Sequence, residues 1–449
     1  MSKLLDFPYE QVLVLGLAKS GTAAAKVLLE NGVKVRINDM KASEDDPGVI
    51  ELKSMGADVI VGSHPLYVLD EMELIVKNPG ISYDNPIVIE ALNRHIPVIT
   101  EIEIAGRLAQ GSIIGITGSN GKTTTTTLTN DMLLNSGQSV KLAGNIGIVA
   151  TDVAKRLAAH EKMILELSSF QLMGTQTFRP NIAILLNLFE AHLDYHKTFE
   201  NYVEAKCNIF KHQTEEDYLV YNADDEKIVH AVQHAKSIKV PFSIREKQPH
   251  GAWADEESIF FRDEKVIGRE EVALVGDHNV ENILASISAA KLCGASNEGI
   301  RTVLTTFTGV KHRLQFVDNI HGRLFYNDSK ATNILATSKA LTSFNQPVIL
   351  LAGGLDRGNN FDELIPYLDN VKAMIVFGET ADKLEEAAQS AGVKTVVQTK
   401  NIEAAVQRAY SVSQAADVIL LSPACASWDQ YRTFEERGDM FIHAVHTLK

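Results

Sequence analysis

Cysteine is scarce in this chain of 449 residues: Cys207, Cys293 and Cys425 stand far apart and leave one over from any pairing. That excludes a disulfide framework and a metal site built on paired cysteines, and it fits a reducing compartment. No apolar run is long enough to span a bilayer, and the opening MSKLLDFPYEQ has no signal-type apolar core. The expectation is a cytoplasmic chain with no membrane partner. Positive charge is also in deficit. Lys and Arg number 43 against 57 Asp and Glu, a net charge of −14, which argues against general nucleic-acid binding. An acidic chain that handles anionic substrates must gather its positive charge locally, so isolated Lys and Arg beside glycines merit scrutiny.

What is present is a globular composition, 45% hydrophobic and 22% charged, with length for about three domains. Residues 12–16 read as a buried strand, 17–21 as a turn, 23–29 as the opening of a helix and 33–38 as a second strand ending at Asp39. This is a Rossmann-type start with an imperfect fingerprint. Gly16 and Gly21 are present, but Ala18 holds the middle position, where glycine lets the backbone approach a pyrophosphate. Ala18 weakens an NAD-linked dehydrogenase reading, and Lys19 and Ser20 point instead to side-chain contacts with an anion. A strand over 74–76 runs into Asn78-Pro79-Gly80-Ile81, a turn at a strand's C-terminal end, where ligands bind in such sheets. A strand over 98–100 closes this unit.

A second unit begins near Glu101 and holds the stretch around which the chain is organised. An apolar strand over 112–117 leads into Gly118-Ser119-Asn120-Gly121-Lys122-Thr123-Thr124, followed by helical spacing. The two glycines let the backbone turn its amides inward, and the helix N-terminus favours an anion. Lys122 can reach a terminal phosphate and the Thr123 hydroxyl can ligate Mg²⁺. The pattern G-x-x-G-K-T is shorter than the common G-x-x-x-x-G-K loop. A second metal ligand belongs at a neighbouring strand's end, where Glu166 closes the run MILE. His192, flanked by Glu190 and Asp194, is on its own more often structural than a ligand. Lys206, on a helix over 199–211, reads from spacing alone as a surface lysine. Residues 240–274 fit a small antiparallel patch. Asn279 and Asn282 share a face of a helix over 279–292, capped by Asp277-His278-Asn279; they serve either as caps or as partners for a base or phosphate.

A third unit starts around Gly309. Strands over 323–326, 348–352, 374–377 and 418–421 each end in glycine or small polar residues, which predicts a parallel α/β sheet with its working edge at the strand C-termini. Asp328, Lys330 and Thr332 lie in one such turn, and Arg313 stands at the unit boundary. Three α/β units without a long linker lead us to expect sites at their boundaries and hinge motion.

GSNGKTT, GNIG, ELSSFQL, the His192 segment, HNVEN, the Arg313 segment, NDSKATN and SPACASWDQY together resemble, in order and over essentially the whole chain, the Mur ligases of peptidoglycan synthesis. ELSSFQL and SPACAS with the following D-Q resemble the D-glutamate-adding members. The resemblance implies an α/β chain of three domains. A Rossmann-like N-terminal domain over 1–100 would bind the UDP substrate, a central P-loop ATPase-type domain over 101–309 would bind ATP, and a C-terminal Rossmann-like domain over 310–449 would bind the amino acid. It implies ATP-dependent joining of D-glutamate to UDP-N-acetylmuramoyl-L-alanine through an acyl phosphate. A monomer with two Mg²⁺ is implied, serving cell-wall biogenesis, cell shape and cell division.

Carried over residue by residue, Lys122 would hold the ATP phosphates. Thr123 and Glu166 would serve one Mg²⁺, and His192 with a carbamoylated Lys206 a second. Asn145 would contact the muramoyl substrate, and Asn279, Asn282, Arg313 and Asp328 would hold ATP. Lys330, Thr332, Ser427 and Phe434 would meet D-glutamate, with Arg357 in place of the family's lysine after its glycine turn. Lys19, Ser20, Asp39 and Gly80, with Met40 and Lys41, would form the uridine pocket, where the residue types depart from the family. The alternatives are another Mur ligase or a folylpolyglutamate synthase, which share the phosphate loop, and an ATP-binding regulator without ligase chemistry.

Overall fold

The structure, a computed structural model, describes residues 4, 6–274 and 276–448. The chain divides into two compact units, one running to Phe307 and the other beginning at Thr308. The first unit carries two sheets. The N-terminal sheet contains β1 (Gln11–Leu15), β2 (Lys34–Asp39), β3 (Asp58–Val61), β4 (Leu74–Lys77) and β5 (Val98–Ile99), all parallel in the order β3-β2-β1-β4-β5. Its order reverses between β1 and β4, so the C-terminal ends of those strands open a crevice at the switch point. The helix after β1 spans Lys19–Glu30, earlier than the spacing suggested. Lys19 and Ser20 therefore sit in its first turn rather than in a loop. Gly21 permits this, because a Cβ there would lie 1.9 Å from the Gly16 carbonyl oxygen.

The second sheet contains β6 (Ser112–Thr117), β7 (Val140–Gly144), β8 (Lys162–Glu166), β9 (Ile182–Leu185), β10 (Tyr218–Asn222), β11 (Ile238–Ser243), β12 (Ala252–Ala254), β13 (Ser258–Phe261) and β14 (Glu264–Gly268). Its order is β14-β13-β12-β11-β10-β9-β6-β8-β7. The expected antiparallel patch is real only for β12, β13 and β14; β11 pairs in parallel with both its neighbours. The patch extends the edge of the main sheet instead of standing apart. The helix expected over 279–292 begins two residues earlier, as Asp277–Leu292, after Gly276. Asp277 and Asn279 thus lie inside its first turn. The capping role given to the side chains of Asp277 and His278 lies outside the described residues.

One apolar core runs through this unit, from Val12, Val76 and Ile102 to Leu165, Leu185 and Leu219. The helix Glu101–Leu108 forms the joint between the two sheets. Two buried glutamates fix it, and their surroundings set opposite outcomes. Glu103 accepts hydrogen bonds from the backbone of Gln176, Thr177 and Phe178. Burial pushes its pKa up, but these bonds with the Thr177 hydroxyl and Arg107 outweigh it and hold the group below its ordinary value. Glu101 receives only the Thr151 amide and hydroxyl, and burial wins, raising its pKa to about 7.

The second unit has a sheet of β15 (Gln315–Ile320), β16 (Arg323–Asn327), β17 (Val348–Gly353), β18 (Val371–Phe377), β19 (Thr395–Gln398) and β20 (Val418–Leu421), in the order β15-β16-β20-β17-β18-β19. The four expected strands, β16, β17, β18 and β20, pair in parallel, and β15 adds an antiparallel edge against β16. Apolar clusters cover both faces, as parallel strands demand.

The Glu101 carboxyl gives a prediction. Its folded pKa exceeds its unfolded value, so the folded state holds the proton longer, and stability falls as pH rises from about 4.5 to about 7. Glu101→Gln removes the buried charge. Denaturant unfolding of both proteins should show the variant gaining on the parent by up to about 3 kcal/mol across that window, and by a constant margin above it. A difference independent of pH would refute the assignment.

Candidate active site

In the first unit the phosphate loop follows β6 and opens the helix Lys122–Asn135. Asn187, just beyond β9, clamps it: the Ser119 amide donates to the Asn187 carbonyl at 3.0 Å and the Asn120 amide to Asn187 Oδ1 at 2.8 Å. The Ser119 hydroxyl is tied to Phe189 and to the Tyr202 hydroxyl. Gly121 caps the helix at φ 81°, and a Cβ there would stand 2.1 Å from Asn282 Oδ1. The loop is thus shaped before any ligand arrives. Asn282 is buried against it, within reach of Asn279 Oδ1 at 3.5 Å, so these two asparagines share the face the spacing predicted. Thr123 is buried, and Thr124 sits beside it in the helix's first turn.

Lys122 folds over the loop, its Nζ donating to the carbonyls of Gly118 at 2.8 Å and Ser119 at 3.0 Å. Lys206 reaches the same Gly118 carbonyl at 2.9 Å from the other side. The surface position expected for Lys206 is therefore wrong: it is 2% exposed, on the helix Phe199–Cys207 that ends earlier than expected. Its ammonium also lies 4.8 Å from the Tyr202 ring. Burial, then the neighbouring Lys122 charge, holds its pKa well below the ordinary lysine value. Helical spacing cannot reveal this, because the side that buries Lys206 is set by a loop far away in sequence.

Glu166 ends β8 and is buried. Its Oε1 accepts from Asn145 Nδ2 at 3.0 Å, bringing together two predicted residues, while Oε2 is buried without a hydrogen-bond partner. An orphaned buried carboxylate oxygen and a threonine hydroxyl are the hard oxygen donors that Mg²⁺ takes, so the residues fit that ion. His192 is exposed in a left-handed turn at φ 56°, its ring edge-on to Phe170 at 4.9 Å. Among the described residues no three His, Cys, Asp or Glu side chains gather as a ready metal cluster.

Sequence reasoning missed the neighbours of His192. His196 stacks on Phe170 and meets Ser169 Oγ at 2.9 Å. Burial lowers its pKa to about 4, helped by the charges of His192 and Lys206. Tyr195 joins this segment to the N-terminal sheet: its hydroxyl donates to the Ile81 carbonyl at 3.0 Å and accepts from Lys77 Nζ at 3.1 Å. Lys77 is 1% exposed and also donates to the carbonyls of Asn78 and Ile81. Burial lowers its pKa to about 8. The readable signal was a lysine closing the apolar run LIV ahead of Asn-Pro-Gly.

The predicted uridine residues surround the β1–β4 crevice. Asn78 donates to Ser20 Oγ at 3.1 Å and its Oδ1 receives the Gly80 amide at 3.0 Å. Asp39 is already committed. Burial raises its pKa, but the backbone amides of Leu17, Ala42 and Lys41 prevail and lower it. Lys19 is exposed.

In the second unit Asp328 follows β16, accepting from the Leu314 amide at 3.1 Å and Ser422 Oγ at 2.9 Å, and burial lifts its pKa to about 7. Arg313 is exposed beside the left-handed residues His312 and Leu314. Lys330 stands 5.9 Å from the Phe434 ring. Thr332 and Arg357 line one small cavity with Thr380 and Cys425, and the Arg357 guanidinium lies 4.9 Å from the exposed Trp428 ring. Ser427 is 2% exposed and its Oγ has no partner.

A strand, a glycine loop carrying Lys and Thr, and a carboxylate at a neighbouring strand's end suit a nucleoside triphosphate with Mg²⁺, and comparison with known proteins identifies the class as a ligase. The Mur ligase middle-domain model matches residues 116–290, the glutamate ligase domain model 312–425, and the MurD-like N-terminal domain model 10–100. The chain belongs to the Mur ligase family. It is 61% identical over 449 residues, the whole of both chains, to the UDP-N-acetylmuramoylalanine--D-glutamate ligase of Oceanobacillus iheyensis. It is 54% identical to the enzyme of that name from Bacillus subtilis, covering 98% of each chain. Among solved structures, the MurF ligase of Thermotoga maritima in complex with ADP superposes with a TM-score of 0.54 at 18% identity, over 100% of this chain and 98% of that one. That similarity supports the fold.

Gly121→Ala tests the preformed loop. The left-handed backbone and the displaced Asn282 should together cost about 2 kcal/mol of stability in denaturant unfolding and weaken nucleotide binding by titration calorimetry. Unchanged stability and affinity would contradict the geometry.

Proposed function

We propose that this chain is an ATP-dependent ligase that joins D-glutamate to UDP-N-acetylmuramoyl-L-alanine, a step of peptidoglycan precursor synthesis. The observation that carries the reading is full-length identity of 61% to a relative bearing that activity in its name; the shaped phosphate loop supports it. The proposed division of labour is residues 1–100 for the UDP substrate, 101–309 for ATP and 310–449 for the amino acid. We further propose a monomer acting in the cytoplasm and supporting cell shape and division. No helix among the described residues is long and apolar enough to cross a membrane.

In this reading the substrate carboxylate attacks the γ-phosphorus of ATP, the bond to the β-phosphate breaks and ADP leaves, giving an acyl phosphate. The D-glutamate amine then attacks the acyl carbon, and the tetrahedral intermediate expels phosphate. Lys122 leaves the loop carbonyls to meet the transferring phosphoryl group and spread its charge. Gly118, Ser119, Asn120, Gly121 and Thr124 cradle the phosphates through the loop and helix N-terminus, and Asn279, Asn282, Arg313 and Asp328 serve the nucleotide. Thr123 and Glu166 Oε2 would hold Mg²⁺, which neutralises phosphate charge when bound. His192 and a carbamoylated Lys206 would serve a second ion; burial and the Lys122 charge, which push Lys206 toward losing its proton, support this. Asn145 orients the muramoyl substrate, and Lys19, Ser20, Asp39 and Gly80 border the uridine. Lys330, Thr332, Arg357, Ser427 and Phe434 receive D-glutamate; the Arg357 fork matches a carboxylate better than a lysine does.

Phosphate release from ATP, measured with UDP-N-acetylmuramoyl-L-alanine and one amino acid at a time, tests this. D-Glutamate alone should support turnover, and Lys122→Ala should cut kcat about a thousandfold in a folded protein. Turnover with a different amino acid, or near-normal turnover of Lys122→Ala, would overturn the reading.

A further inference from the structure

Arg437 is a charged side chain with 0% exposure, on the helix Phe434–His446. Its Nε donates to Ser329 Oγ at 3.0 Å, Nη1 to the Gly353 carbonyl at 3.3 Å, and Nη2 to the carbonyls of Ser329 at 2.9 Å and Cys425 at 3.1 Å. None of these acceptors is a carboxylate. Burial lowers its pKa to about 10, and the Cys425 thiol, Asp429 and Tyr431 act on the cation only through space. A buried cation without a bonded counterion is costly, and fixed carbonyl dipoles offset only part of that cost.

The three bonded segments stand at the C-terminal ends of three different strands: Ser329 just after β16, Gly353 as the last residue of β17 and Cys425 just after β20. Ser329 Oγ in turn donates to the Phe434 carbonyl at 2.7 Å, closing the set onto the first turn of Arg437's own helix. Lys330 adjoins Ser329, Arg357 lies four residues after Gly353, and Ser427 lies two after Cys425. A second observation points to a ligand: Ser427 Oγ is buried and unpartnered. Lysine could not span these acceptors, because only the planar fork reaches several directions at once.

We propose that Arg437 is a positioning residue that holds these three loops as one receptor for a dicarboxylic amino acid, its buried charge favouring the second carboxylate. This rests on the D-glutamate reading above. The test measures kcat and KM for D-glutamate, D-glutamine and ATP in the full-length protein and in Arg437→Gln and Arg437→Lys, with thermal melts as a folding check. Arg437→Gln should raise the KM for D-glutamate at least tenfold, leave the KM for ATP within twofold, and shrink the preference for D-glutamate over D-glutamine. Arg437→Lys, which restores the charge, should recover part of that preference. Should Arg437→Gln fail to melt cooperatively, Ser329→Ala, which frees Nε and the Phe434 carbonyl, should raise the D-glutamate KM severalfold with the ATP KM unchanged. A folded variant with an unaltered preference, or an equal rise in both KM values, would overturn the proposal. A parent protein inactive with D-glutamate would overturn the functional reading instead, before any variant is compared.

Discussion

Two lysine ammonium groups converge on one oxygen, the carbonyl of Gly118. Lys122 arrives at 2.8 Å and Lys206 at 2.9 Å. One backbone dipole cannot neutralise two cations, and Lys206 has little water to help it. The arrangement holds because each lysine has somewhere else for its charge to go. Lys122 can swing to an anionic phosphate. Lys206 can lose its proton, and burial with the Lys122 charge pushes it that way. The phosphate loop, the clamp by Asn187 and the packing of the Phe199–Cys207 helix all serve to bring these two groups together.

The same solution recurs at each buried lysine and arginine among the described residues. Lys77 at the end of β4, Lys206 beside the end of β6 and Arg437 across the ends of β16, β17 and β20 are all held by backbone carbonyls rather than by carboxylates. Parallel strands release their last carbonyls at one edge of the sheet, so that edge can solvate a cation without cancelling its charge. A glutamate partner would cancel it and leave less for a phosphate or a substrate carboxylate. Lys77 and Arg437, held in this way, keep positive charge at their strand ends while the whole chain stays at −14; Lys206 is the one that burial and the Lys122 charge push toward losing its proton.

How much of this was legible in the sequence depended on range. The strands before Gly118, Glu166 and Asp328 could be read because each is a local apolar run ended by polar punctuation. The hydrogen bond between Glu166 and Asn145 was not legible, because it depends on β7 and β8 lying side by side in the sheet. The hidden features depend on distant packing. Lys206 looks like a surface residue until the Gly118 loop covers it, and the FEERGDM helix gives no local sign that Arg437 alone turns inward. β15 escaped notice because its partly exposed residues alternate weakly, and its antiparallel pairing with β16 depends on tertiary contact. Family resemblance proposed a role for Lys206 that spacing denied; the structure shows it buried at the Gly118 carbonyl rather than on the surface.

The proposal to be tested is that Lys206, buried at the Gly118 carbonyl and pushed below the ordinary lysine pKa, takes up carbon dioxide to form a carbamate and release a proton. Carbon-13 NMR of the protein equilibrated with labelled bicarbonate tests it most directly. The account predicts one carbamate resonance in the parent protein, absent from a folded Lys206→Arg variant. An active parent with no such resonance, or a resonance that survives in Lys206→Arg, would contradict it.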